Sequence, residues 1–131
     1  KVAAEGQREL CRGQGAELIW TRNPGVLTPL QVVDIFRQKT APAFEVALRL
    51  GAIYAGQHDE CDEVLGAYSR ALGIAYQIRD DLSDLGEGGE TDDIAGLRPS
   101  LLLAIARERA NGEKRDFLDR LWRREVKPDS K

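Results

Sequence analysis

The stretch ECDEVLGAYSRALGIAYQIRDDLSDL, residues 60–85, decides the fold class. It contains no proline, and Leu65, Tyr68, Leu72, Ala75 and Leu82 recur at helical spacing. At about 100° per residue these side chains gather on one side, while Gln77, Asp80, Asp81 and Asp84 fall on the other within about 100° of arc. Gly66 and Gly73 share the aspartate side. A purely solvated face favours Lys, Glu and Gln over glycine. The aspartate side is therefore expected to line a cavity and the apolar side to meet the core. Arg79 falls within the apolar side, where it is expected to snorkel or to pair with a carboxylate of a neighbouring helix.

Carboxylates crowded this closely repel one another unless a cation sits among them. Residues 80–93 add Glu87, Glu90, Asp92 and Asp93 and contain no Lys or Arg. An all-oxygen donor set of this kind points to Mg²⁺ rather than zinc. The alternative is an acidic patch on a helix surface. Against it, the aspartates stand toward the C-terminal end of the helix, where the macrodipole disfavours negative charge, and Asp is a weak helix former.

Outward from this helix the chain stays helical. Residues 2–20 show helical periodicity despite Gly6, Gly13 and Gly15, which suggests that something packs against their backbone. Asn23-Pro24-Gly25 marks a turn, and Thr28 followed by Pro29 marks a helix start. That helix carries Val32, Val33 and Phe36 to about Lys39, is interrupted at Pro42 and resumes to about Ala55. Glycines 86, 88 and 89 end the long helix and open a polar loop. Pro99 begins a helix over 100–109, and Asn111-Gly112 turns into a last amphipathic helix bearing Phe117, Leu118, Leu121 and Trp122. No strand-like alternation occurs. The fold class is all-α, a helical bundle, with residues 1–131 read as a single domain.

Pro42 cannot donate to the Gln38 carbonyl four residues back. If the helix kinks there, carbonyls near Gln38 and Lys39 lack partners and attract positive charge, while Lys39 attracts negative charge. The alternative is that Thr40 caps a new helix and Lys39 is solvated.

The totals exclude several classes. Of 131 residues, 42% are hydrophobic and 31% charged, an ordinary globular balance. The net charge of −3 arises from 19 basic and 22 acidic residues, with no basic run interleaved with aromatics, so no nucleic-acid partner is expected. No apolar stretch approaches a membrane span and no targeting arm is visible, so neither stable membrane insertion nor secretion is expected. Cys11 and Cys61 lack paired spacing and read as reduced thiols of a cytoplasmic protein. The chain begins at Lys1 and contains no Met, which suggests part of a longer polypeptide. His58 reads as a surface residue, Trp20 and Trp122 as packing anchors, and Phe36, Phe44, Tyr54 and Phe117 as core or helix-interface residues.

Taken in order, several matches resemble the trans-isoprenyl diphosphate synthases, or polyprenyl synthetases. They begin with Gly13-Gln14, Lys39-Thr40 followed by Phe44, Gly51-Ala52 and Ala55-Gly56. Leu72-Gly73 and Tyr76-Gln77-Ile78 lead into Asp80-Asp81-Leu82-Ser83-Asp84, with Thr91, Asp93-Ile94 and residues 98–100 beyond. The resemblance implies antiparallel helices around a deep cavity and a Mg²⁺-dependent reaction. An allylic diphosphate loses diphosphate, and the double bond of isopentenyl diphosphate attacks the resulting carbocation. Loss of a proton completes the longer chain. Asp80, Asp81 and Asp84 match the family's second aspartate-rich motif and would hold Mg²⁺, with Asp93 reaching it through water. Lys39 and Arg98 would bind the diphosphate. Carbonyls near Lys39 and Thr40, with Gln77, would face the cation. A homodimer or other helical oligomer is implied by the resemblance alone.

The departures also carry information. The loop GEGGET, residues 86–91, has no cation where the family usually has a lysine. Arg98 stands in for a later lysine and changes its geometry. Glu17 stands where Asp is usual. The first aspartate-rich motif and the basic site for isopentenyl diphosphate are missing, so the chain resembles the C-terminal half of such an enzyme, an incomplete bundle expected not to turn over alone. A class I terpene cyclase shares the fold and metal logic, but usually places its aspartate-rich motif earlier. A non-catalytic helical partner that regulates an active synthase fits the missing lysine and the missing half.

Overall fold

Five helices make up the regular secondary structure of a computed structural model that describes residues 1–56, 58–86 and 98–126; the side chains of residues 58 and 84–86 also lie outside the described set. They are α1 (Val2–Arg22), α2 (Pro29–Tyr54), α3 (His58–Gly86), α4 (Leu101–Arg109) and α5 (Glu113–Trp122). No strand occurs among the described residues, and the all-α reading holds.

The helix starts follow local chemistry. The Thr28 hydroxyl accepts from the Gln31 backbone N–H at 3.3 Å, and the Gln31 side-chain oxygen accepts from the Thr28 N–H at 2.8 Å. This reciprocal capping box satisfies two donors that the first turn of α2 would otherwise leave bare. Ser100 caps α4, its hydroxyl accepting from the Leu103 N–H. Before α5 the chain turns through Gly112 at φ 57°, a left-handed conformation costly for any residue with a Cβ.

Pro42 does not divide α2. The helix runs unbroken through it, so Thr40 caps no new helix. The Gln38 carbonyl, deprived of its usual donor, lies against α1, where a Cβ at Gly13 would stand 2.6 Å from that oxygen. Gly13 is buried and lets the α1 backbone close over the defect. Tertiary packing here offsets a local helix break that costs about 3 kcal/mol in isolation.

The chain forms two compact units. The first comprises Lys1–Ala16 and Asp34–Gln77, the second Glu17–Val33 and Ile78–Lys131. In the first, α1 and α2 run antiparallel, with Gly6 against Val46 and Gly13 against Gln38. Segments of α2 and α3 are also antiparallel: Ala41 meets Gly73, and Arg49 bridges Glu45 at 3.1 Å and Asp62 at 2.5 Å. The interior of this unit combines Phe36 and Ala41 of α2 with small residues of α3. Gly66, Ser69 and Gly73 are buried on α3, and the Ser69 hydroxyl donates to the Leu65 carbonyl at 2.7 Å.

This corrects the expected orientation of α3 in part, since Leu65 and Leu72 are half-buried. The glycine side, expected to leave room for a cavity, is where helices touch. Of the side expected to enter the core, Tyr68 is 57% and Leu82 52% exposed. Gly73 permits close backbone approach, while Leu65 and Leu72 stay half-buried and Tyr68 and Leu82 are left exposed. Tyr54 (97% exposed) and Phe117 (46%) are likewise outside the core, whereas Phe36 is buried as expected.

The second unit packs on large side chains. Trp20 and Trp122 meet edge to face, with ring centroids 6.2 Å apart, and both are buried with Val32, Leu101, Ala104 and Leu121. The Trp20 indole N–H donates to the Gly25 carbonyl at 2.7 Å, tying α1 to the turn that follows it. Both tryptophans are the anchors expected of them. Cys11 and Cys61 are unpaired thiols.

Candidate functional site

The best-defined polar arrangement in the second unit joins the end of α3 to the start of α4. Asp81 is half-buried, and its Oδ2 accepts from the Leu101 N–H at 2.8 Å, the Leu102 N–H at 3.3 Å and the Ser100 hydroxyl at 3.2 Å. The same Ser100 oxygen accepts from Leu103 N–H at 3.3 Å. The first three N–H donors of α4 are thus all engaged, two by a carboxylate and one by a hydroxyl. Negative charge at a helix N-terminus is favoured by the macrodipole as well. Asp81 therefore contributes to folding whatever else it does.

Asp80 precedes it on α3 and is half-buried; Arg98, just before the cap, is exposed. Among the described residues, no three His, Cys, Asp or Glu side chains form a group that could hold a metal. The side chain of Asp84 and the whole of Asp93 lie outside the described residues, as does most of the GEGGET loop. The two described acids, Asp80 and Asp81, are hard oxygen donors, a donor type that fits Mg²⁺.

In the first unit, Lys39 is half-buried with its ammonium 5.7 Å from the Phe36 ring centroid, a cation–π distance. Its backbone nitrogen, beside the Gln38 carbonyl, lies under Gly13 of α1. Thr40 and Gln77 are half-buried on α2 and α3. Their neighbours Ala41 and Gly73 are in contact, and the rings of Phe44 and Tyr76 meet at 6.1 Å. The structure therefore brings the Lys39–Phe44 stretch of α2 against the Gly73–Gln77 stretch of α3. The Gln38 oxygen, one of the carbonyls expected to lack a partner, lies close against the α1 backbone at Gly13.

Sequence reasoning missed the partner of Asp81. The Pro99-Ser100 start signal is plain, but nothing local says that an acid nineteen positions earlier shares the cap. It also missed Arg107 and Asp119, which join α4 to α5 through a two-nitrogen ion pair, the second bond at 3.3 Å. Hydrogen bonding from Arg107 holds the Asp119 carboxyl below its ordinary range, against an opposing effect of burial. An apolar groove of about 480 Å³ beside this pair, lined by Ala106, Ala110, Phe117 and Leu118 among others, contains none of the expected site residues.

Comparison with known proteins places these features in context. The family described as polyprenyl synthetase matches over residues 1–131. The chain is 30% identical over 125 residues to a geranylfarnesyl diphosphate synthase of Aeropyrum pernix, covering 91% of this chain and 38% of that protein. It is 32% identical over 129 residues to a farnesyl diphosphate synthase of Escherichia coli, covering 90% and 41%. An octaprenyl diphosphate synthase of the same organism is 29% identical over 124 residues, covering 90% and 38%. The chain thus spans about two fifths of the length of each of these relatives.

Proposed function

Because the chain belongs to the polyprenyl synthetase family, we propose that it serves Mg²⁺-dependent prenyl transfer, in which an allylic diphosphate ionises and is condensed with isopentenyl diphosphate. The observation that carries this reading is the Gln77-x-x-Asp80-Asp81-x-x-Asp84 string on one continuous helix, in a chain whose relatives are named as prenyl diphosphate synthases. Asp80, Asp81 and Asp84 would hold Mg²⁺, with Asp93 acting through water. Bound there, the ion would supply positive charge against the diphosphate as it departs.

The remaining roles belong to the chain's own groups. Lys39 and Arg98 bind diphosphate oxygens, Lys39 as a point charge and Arg98 as a planar fork. Thr40 and Gln77 present dipoles to the carbocation, an electrostatic aid set in place before the bond breaks. Assembly as a homodimer belongs to the same reading. Leu18, Ile19, Val64 and Tyr68 are large apolar residues left exposed, as surfaces that associate commonly are.

Calorimetry with inorganic pyrophosphate tests the reading. Binding that requires Mg²⁺ and disappears in Asp80→Ala supports it. Binding that is absent, or indifferent to Mg²⁺, favours a non-catalytic helical partner. Turnover is expected to require the other aspartate-rich wall of the site. Incubation of the chain alone with Mg²⁺, geranyl diphosphate and isopentenyl diphosphate should therefore yield no product.

A further inference from the structure

Asp81 carries two demands at once: it caps α4 and, on the reading above, it holds a metal. A carboxylate that accepts three hydrogen bonds on one oxygen cannot rotate freely about its terminal torsion. The bonds to Leu101 N–H at 2.8 Å, Leu102 N–H at 3.3 Å and Ser100 Oγ at 3.2 Å hold Oδ2, and with it the plane of the group. Ser100 is held in turn, since its Oγ accepts from Leu103 N–H at 3.3 Å while its proton goes to Asp81. The hydroxyl is thereby oriented by the first turn of a helix rather than by its own rotamer preference.

We propose that Ser100 is a positioning residue for the Asp81 carboxylate, setting the orientation in which that group meets a divalent cation. The inference rests on the Mg²⁺ reading. Groups that hydrogen-bond metal ligands restrict their orientation before the ion arrives, and their loss typically lowers metal affinity. Asp81 pays no separate ordering cost on binding, because folding of α4 has already fixed it.

The full chain can be tested with Mn²⁺ as a spectroscopic stand-in for Mg²⁺, with affinity and spectrum read by electron paramagnetic resonance in the presence of inorganic pyrophosphate. Ser100→Ala should weaken Mn²⁺ binding about tenfold or more. Ser100→Thr should restore it. Ser100→Gly removes the hydroxyl while remaining a tolerated N-cap, so it should fold and still bind weakly. Thr28→Ala, which removes the cap of a different helix, should lower stability and leave the Mn²⁺ affinity and spectrum unchanged. Wild-type affinity retained in both Ser100→Ala and Ser100→Gly overturns the inference and leaves the metal reading standing. Wild-type affinity in Asp81→Asn also overturns it, because Asp81 is then a helix cap alone. A wild-type chain that binds no Mn²⁺ at millimolar concentration overturns the metal reading and this inference with it.

Discussion

Gly73 of α3 stands against Ala41 of α2 with no room for a side chain: a Cβ at position 73 would lie 2.7 Å from the Ala41 Cα and backbone nitrogen. Backbone atoms inside a helix cannot step aside as a flexible side chain can. Gly73→Ala is therefore expected to destabilise by about 1–3 kcal/mol, the range of overpacked cores. Gly15 gives the contrast, since nothing lies within 4 Å of its added Cβ. Gly15→Ala should stabilise by about 0.5–1 kcal/mol through helix propensity. Urea titration of both variants checks the pair, and equal effects would refute the packing account.

The start of α2 depends on Thr28 and Gln31 together. Thr28→Ala removes the acceptor for the Gln31 N–H and should cost about 1 kcal/mol. Thr28→Ser retains the oxygen and should cost less. Thermal melts followed by circular dichroism will rank the three proteins as wild type, Ser, then Ala.

Acid should weaken the join between α4 and α5. The Asp119 carboxyl is held below its ordinary value, chiefly by the hydrogen bond from Arg107. Its contribution is whole above the unfolded pKa of about 3.9 and is lost as pH falls through the depressed folded value. The stability gap between wild type and Asp119→Asn should therefore be constant near neutrality and close below about pH 4. Denaturant midpoints measured across that range provide the check, and a gap that widens on acidification would contradict it.

Two substitutions separate metal from phosphate contributions. Asp80→Asn should lower Mg²⁺-dependent affinity for inorganic pyrophosphate by at least about tenfold while leaving helix content unchanged. Lys39→Ala should weaken pyrophosphate binding about tenfold at saturating Mg²⁺, the effect of losing one charged hydrogen bond. Isothermal calorimetry at several Mg²⁺ concentrations distinguishes them, because excess metal should partly rescue only Asp80→Asn.

Much of the architecture was legible residue by residue. Thr28-Pro29, Pro99-Ser100 and Asn111-Gly112 mark helix limits because capping and turn chemistry act over three or four positions. The observed limits follow these signals closely, with α2 starting at Pro29 and α5 just after Gly112. The acidic string on α3 was equally visible, because helical phase is a property of spacing. The fate of Pro42 was not. A proline interior to a helix kinks or breaks it in isolation, whereas α2 runs on through Pro42 with Gly13 of α1 packed against the Gln38 carbonyl.

What the sequence by itself determined is the succession of helices, their caps and the clustering of Asp80, Asp81 and Asp84 along one helical phase, since each depends on neighbours a few residues away. Tertiary structure alone decided which side of α3 turns inward, which residue of α1 lies against the Gln38 carbonyl, and that Asp81 shares the α4 cap with Ser100. Those outcomes depend on distances between residues far apart in the chain. Apolar periodicity says that a helix has two faces; only steric fit, here through Gly73 against Ala41, selects the one that others can approach.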